Sequence, residues 1–191
     1  MEVVVIIILF VLVFGASQIT SLIARKRNGD NALIREPWVE IHEIPKYNDA
    51  RKIAAFYPLK GEPNILPILE ELAMEGRLLL PRCTGEGTME FFPVNHLKKD
   101  LEKGKFGIME PKQGLEPWTD RIPVFLVPGV KFNLDGRRVG HGKGYYDRYL
   151  AKHPESFKAG IATPKQIDRE PLIQKPTDIP MNTVIVCKPL Y

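Results

Sequence analysis

Two short β-prone apolar runs, Lys52 to Tyr57 and Leu78 to Leu80, flank a helical pattern, and this spacing constrains the fold more than any other feature of the chain. The first run stops at Pro58, and Gly61-Glu62-Pro63-Asn64 reads as a loop. Ile65, Leu66, Ile68, Leu69, Leu72 and Ala73 then recur at helical spacing, so they line one face of a helix that ends at Gly76. A strand, a helix and a strand so spaced make a βαβ unit, whose two strands lie parallel. Val124-Phe125-Leu126-Val127 is the strongest inner-strand signal, and Ile161-Ala162 and Val184 to Val186 supply later strands. Thr88 to Val94 reads as another short strand. Ala32 to Ile44 has amphipathic helical spacing with ends blurred by Pro37 and Pro45, and Gly104 to Trp118 reads as a loop without periodicity. The class that follows is α/β with a mostly parallel sheet.

The 191 residues, 44% hydrophobic and 26% charged, suffice for one domain with a sizeable core. A net charge of +4 suits an enzyme of polyanionic substrates and is too modest to imply nucleic-acid binding, which is not expected. The two cysteines, Cys83 and Cys187, lie far apart with no Cys or His at metal-ligand spacing. They suggest neither a disulfide framework nor zinc, and a reducing, cytoplasmic compartment is the simpler reading.

Residues 1–31 form an apolar N-terminal segment set apart from a single α/β domain over 32–191. No charge interrupts Val3 to Ala24, and Arg25-Lys26-Arg27 follows. That stretch reaches the roughly 20 residues a membrane span needs, and the basic cluster would keep the domain on the cytoplasmic face. A membrane contact through residues 3–24, a buried Val- and Ile-rich strand, and an atypical start all fit the same residues.

The chemistry-bearing segment follows Val139 and reads Gly140-His141-Gly142-Lys143-Gly144-Tyr145-Tyr146-Asp147-Arg148. Alternating glycines let backbone amides approach an anion, a helix opening near Tyr145 adds its positive end, and Lys143 adds a point charge. Phosphate is the natural guest. The spacing is neither a P-loop nor a dinucleotide fingerprint, and a flexible turn before a capped helix fits it as well. In that plainer reading Asp147 is a first-turn acid, His141 a loop residue, and the tyrosines ordinary aromatics at helical spacing.

Together with Leu126-Val127-Pro128-Gly129-Val130-Lys131-Phe132, Gly136 and Arg138, this segment resembles the signature of the 5-formyltetrahydrofolate cyclo-ligases, also called methenyltetrahydrofolate synthetases. The resemblance extends from about Ile53 to Val186. It includes Gly61-Glu62, Phe106-Gly107-Ile108 before Glu110-Pro111, and Asp178-Ile179-Pro180.

The resemblance implies a three-layer α/β/α fold with a mostly parallel sheet, Rossmann-like and related to CoA transferases. It also implies a reaction in which ATP and Mg²⁺ drive conversion of 5-formyltetrahydrofolate, with or without a polyglutamate tail, into 5,10-methenyltetrahydrofolate. In that chemistry the formyl oxygen is phosphorylated, N10 attacks the activated carbon, and phosphate leaves. Positioning and charge neutralisation are the main demands on the protein. Carried over position by position, Arg138 and the loop Gly140, His141, Gly142, Lys143 and Gly144 match the ATP-phosphate segment, with Lys143 and Arg138 in the catalytic role. Asp147 and Asp178 match the magnesium carboxylates. Tyr145 and Tyr146 match positions beside both nucleotide and folate, and Glu62, Asn64 and Phe106 match the folate pocket. Two departures stand out: Asn64 occupies a usually acidic position, and the apolar run replaces the family's basic N-terminal helix. A non-catalytic module binding folate, nucleotide or RNA on the same fold is the competing reading.

Overall fold

The structure is a computed structural model that describes residues 37–104 and 107–190. The apolar run Val3 to Ala24 and Phe106 lie outside the described residues. Among the described residues, no helix is long and apolar enough to cross a membrane.

A helix, α1 (Pro37–His42), precedes a two-residue strand, β1 (Ile53–Ala54). Helix α2 (Leu66–Met74) carries the chain to β2 (Leu78–Gly85), which pairs parallel to β1 with Ile53 opposite Leu78. This is the βαβ unit expected from the sequence. Helix α2 starts with Pro67 in its first turn, where the missing N–H costs nothing, and it buries Ile68, Leu69, Leu72 and Ala73. Gly76 follows its end with φ +66, the left-handed value that closes helices and that glycine adopts without a Cβ penalty.

From β2 the chain folds back as β3 (Thr88–Pro93), which pairs antiparallel to β2 and forms the edge of the sheet. A short helix, α3 (Leu97–Asp100), leads into β4 (Leu101–Lys103), which pairs antiparallel with β5 (Met109–Pro111). Part of Gly104 to Trp118, read from sequence as a loop, is thus one arm of a small hairpin. Strands of three residues are too short to show a period, which is why the pattern did not reveal them.

Strand β6 (Val124–Val127) pairs parallel to β1 on the side opposite β2, and β9 (Phe157–Ala162) and β10 (Thr183–Val186) extend the sheet outward. The six-stranded order is β10-β9-β6-β1-β2-β3, parallel except for β3. Between β6 and β9 lie a two-stranded ribbon, β7 (Lys131–Phe132) with β8 (Arg138–Val139), and helix α4 (Tyr145–Leu150).

The central strands are buried on both faces. Ile53, Leu78, Leu80, Val124, Leu126 and Ile161 pack with α1 and α2 residues such as Ile41, Ile68 and Leu72 in one core. Their alternates Ala54, Leu79, Phe125, Val127 and Ala162 pack with Tyr149 and Leu150 of α4 and with Phe132 in the other. Alternation along a strand therefore separates the two cores, and a three-layer α/β/α architecture results.

At the margin of the second core the half-buried ring of His153 stacks on Tyr149 at 4.9 Å and 24° and meets Phe125 at 5.4 Å. Its pKa is lowered, chiefly by burial and then by Lys158 and Lys152. The unfolded chain therefore takes up this proton more readily than the folded one. The contribution is fully present above the ordinary histidine value of about 6.5 and is lost as pH falls through the lower folded value. Urea midpoints measured at pH 7.5 and 5.5 are expected to fall less for His153→Gln than for the natural chain. Equal falls would mean that His153 carries none of the acid sensitivity.

Candidate functional site

The chain steps from β1 to β2 on one side and later returns to place β6 on the other, so the strand order reverses between β1 and β6. In open α/β sheets, the crevice beyond the carboxyl ends of the strands at such a reversal is where ligands bind. The segment leaving β1 carries Glu62 and Asn64, and the segment leaving β6 carries Gly129, Arg138 and the glycine-rich loop. The topology thus brings together two parts of the sequence some 80 residues apart.

The C-terminal segment secures the first of these loops. The N–H of Gly61 donates to the carbonyl of Leu190 at 2.9 Å, that of Leu190 to Glu62 at 2.7 Å, and that of Asn64 to Lys188 at 2.9 Å. The half-buried Glu62 carboxylate accepts the Leu59 N–H at 2.8 Å. Burial raises its pKa, while the Leu59 N–H and the charge of His141 work in the opposite direction. Glu62 and His141 are therefore electrostatic neighbours across the crevice. Asn64 uses its side-chain oxygen to accept the N–H of Leu66 at 3.3 Å, at the start of α2. That bond satisfies one of the N–H groups a helix leaves open at its start, a local duty that asparagine performs as well as aspartate.

Arg138 ends in the centre of the site. Its Nη2 donates to Oδ1 of Asp147 at 2.7 Å, with side chains 3% and 18% exposed, respectively. Nη1 donates to the carbonyl of Pro128 at 3.4 Å, and Nε is buried without a partner. The N–H of Ile179 donates to the same Asp147 oxygen at 3.3 Å, and the Gln174 amide donates to the Arg138 carbonyl at 3.2 Å. Asp178, the neighbour of Ile179, accepts the Lys175 N–H through Oδ2 at 2.8 Å. Asp147 and Asp178 are thus brought to one place by the Ile179 backbone. Gln174 and Ile179 escaped sequence reasoning because their contacts to Arg138 and Asp147 span more than 30 residues.

The two tyrosines diverge. Tyr146 lies under the Arg138 guanidinium at 5.8 Å, and burial drives its pKa up, opposed by Arg138 and reinforced by Glu62 and Cys83. Its phenol therefore stays protonated and faces the crevice groups. Tyr145 turns instead to the β2–β3 turn, where its hydroxyl accepts the Gly87 N–H at 3.4 Å.

Between β8 and α4 the loop is open. His141, Gly142 and Lys143 are exposed, and the N–H groups of Gly140, His141 and Gly142 donate to no partner among the described residues. Gly142 has φ +80 with open space where a Cβ would stand, and Gly144 holds φ +65 immediately before α4. Helix α4 has only six residues, so its N-terminal end adds little to the N–H groups of the loop itself.

An open, mostly parallel sheet with a glycine-rich loop, a buried arginine–aspartate pair and an acidic loop at its switch point defines an α/β domain of the open-sheet class, in which this crevice is where ligands generally bind. Residues 30–187 match the model of the 5-formyltetrahydrofolate cyclo-ligase family, and the chain belongs to that family of ligases. The match begins after the apolar run. A probable 5-formyltetrahydrofolate cyclo-ligase of Schizosaccharomyces pombe is 30% identical over 144 residues, which are 67% of this chain and 70% of the relative. The 5-formyltetrahydrofolate cyclo-ligase of Escherichia coli is 31% identical over 143 residues, 71% of this chain and 78% of the relative. The solved structure of 5,10-methenyltetrahydrofolate synthetase from Aquifex aeolicus superposes with a TM-score of 0.65 at 34% identity, covering 78% of this chain and 74% of that one. The synthetase from Mycoplasma pneumoniae, at 24% identity and a TM-score of 0.58, shares the fold.

Proposed function

We propose that the chain converts 5-formyltetrahydrofolate into 5,10-methenyltetrahydrofolate at the expense of ATP, with Mg²⁺ as the metal, in a reducing cytoplasmic setting that suits two cysteines, Cys83 and Cys187, not joined in a disulfide. The observation that carries this reading is the open loop of Gly140 to Gly144, in which the N–H groups of Gly140 to Gly142 donate to no partner among the described residues and Gly140 lies beside the guanidinium of the Arg138–Asp147 pair. Unpaired amides with an adjacent ammonium group meet the needs of a triphosphate.

Asp147 and Asp178 fit a magnesium ion. Their other carboxylate oxygens, Oδ2 and Oδ1 respectively, accept no hydrogen bond among the described residues, and Mg²⁺ favours a site of few carboxylates completed by waters and phosphate oxygens. When bound, the metal neutralises phosphate charge. Arg138 donates to Asp147 at 2.7 Å and balances its charge inside the crevice. Glu62 and the Tyr146 ring form the wall facing the loop, where a carboxylate can take hydrogen bonds from pterin nitrogens and an aromatic face can stack. Lys143 and the loop amides would orient the terminal phosphate towards the formyl oxygen, which takes the phosphoryl group as ADP departs. N10 then attacks the activated carbon and loses its proton to solvent, and the C–O bond breaks to release phosphate. No protein nucleophile takes part.

The test is the appearance of methenyltetrahydrofolate absorbance, omitting ATP and Mg²⁺ in turn, in the natural chain and in Lys143→Ala. Signal is expected only with both present. The variant is expected to raise the KM for ATP roughly 10-fold or more, as for loss of one hydrogen bond to a charged group, with less than about a twofold change for folate. Equal effects on both would move Lys143 to the folate side. Folate binding without turnover would favour a non-catalytic binding module.

A further inference from the structure

Arg148 stands next to Asp147 in sequence but turns away from it. Its Nη2 donates to the carbonyl of Lys143 at 2.7 Å, and its Nε donates to the carbonyl of Gly87 at 3.0 Å. The first acceptor lies within the glycine-rich loop and the second in the β2–β3 turn, 61 residues away. The guanidinium also lies over the Tyr145 ring at 5.6 Å, and the Tyr145 hydroxyl in turn accepts the Gly87 N–H. Gly87 is therefore held through both its N–H and its carbonyl by two side chains of α4.

The glycines on either side leave room for this arrangement and for little else. A Cβ on Gly87 would stand 3.0 Å from Nη2, and one on Gly144 would stand 2.8 Å from Nη1. Both residues have positive φ, +74 and +65, so each is glycine for its backbone and for the space beside Arg148. The planar fork of the guanidinium reaches two carbonyls at once, which a lysine cannot do.

We infer that Arg148 is a positioning residue that fixes the glycine-rich loop by clipping the Lys143 carbonyl to the β2–β3 turn. The turn is then a working part of the nucleotide site, reached through the backbone of Gly87. With its carbonyl held on the α4 side, Lys143 keeps its backbone in one conformation, and the unpaired N–H groups of Gly140 to Gly142 keep a fixed orientation. Without the clip, the two positive-φ glycines Gly142 and Gly144 leave the loop free to sample many conformations, and a ligand would have to order it on binding. The inference rests on the reading of this loop as the ATP-phosphate site.

Two measurements on Arg148→Ala, Arg148→Lys, Gly87→Ala and Lys143→Ala test it. The first is hydrogen exchange of the 140–146 segment without nucleotide. The second is the pair of KM values for ATP and 5-formyltetrahydrofolate, with thermal midpoints recorded alongside. Arg148→Ala is expected to speed exchange in that segment and to raise the KM for ATP about tenfold, as for loss of a charge-assisted contact, leaving the folate KM within about twofold and the thermal midpoint nearly unchanged. Arg148→Lys restores part of the effect, and Gly87→Ala, by displacing the guanidinium, shows a weaker form of it. Unchanged exchange, an unchanged KM for ATP, or equal rises in both KM values would overturn the inference. If Lys143→Ala raises the KM for ATP and Arg148→Ala does not, the clip fails alone. If neither does, the loop is not the phosphate site, and the clip to the nucleotide falls with that reading.

Discussion

Replacing Asp147 by asparagine is expected to lower ATP-dependent turnover on the order of a hundredfold, the range seen when one charge-stabilising group is removed from an active site. The variant keeps an oxygen for the Arg138 Nη2 and the Ile179 N–H, so the arrangement at 2.7 and 3.3 Å can persist without its charge. What it loses is the anion that would hold Mg²⁺ and balance the buried guanidinium. Arg138 is 3% exposed in its side chain, and it is left with a neutral acceptor and the carbonyl of Pro128. Stability should therefore fall by about 2 kcal/mol, less than the roughly 3–5 kcal/mol of removing a buried partner outright. Turnover with a Mg²⁺ titration, beside urea unfolding and folate binding, separates the two effects. Loss of activity in proportion to loss of folded protein would make Asp147 a structural counter-ion only. A turnover loss that saturating Mg²⁺ partly restores is the expected pattern.

The pairing of Asp147 with Arg138 was not legible in the sequence. The sequence offers Asp147 as a first-turn acid or, by resemblance, a magnesium carboxylate, and Arg138 as part of the ATP-phosphate segment nine residues earlier, with nothing to say that one neutralises the other. Local patterns do carry the scaffold. The face Ile68, Leu69, Leu72, Ala73 is buried as its spacing requires, and Val124 to Val127 lies in the middle of the sheet, as an uninterrupted apolar run should. Patterns fail where an element is too short to repeat, as in β4 and β5, or where contacts are remote. Tyr145 and Tyr146 are adjacent and chemically alike, yet one faces Arg138 and the other Gly87, because successive helical residues point about 100° apart. Arg148 directly follows Asp147, but the turn it holds lies in another hairpin. Helix α1, expected over Ala32 to Ile44, is described only from Pro37, at the first helical position that proline tolerates.

Gly136→Ala is expected to be among the most destabilising single-methyl changes in the domain, costing about 3 kcal/mol or more, and the reason is a close approach of two backbones. Gly136 closes the β7–β8 turn with φ +95, and a Cβ there would stand 2.3 Å from the Met181 carbonyl oxygen and 3.3 Å from its carbon. The obstructing atoms are backbone, so no side chain can swing aside. The Gly136 carbonyl also accepts the Met181 N–H at 2.8 Å, tying the turn to the segment that it would push away. Positive φ at alanine adds strain of about 1 kcal/mol or more to the steric term. The segment matters to the site because Ile179, two residues before Met181, donates to Asp147. Gly114→Ala is the control: it too has positive φ, +89, but nothing lies within 4 Å of its Cβ position. It should cost only the conformational part, about 1 kcal/mol. In a protein of this size the Gly136 variant should then melt roughly 6–12 °C lower and the Gly114 variant only a few degrees lower. Similar midpoints for both would mean that Met181 gives way freely, and the turn would not then be what holds Ile179 against Asp147.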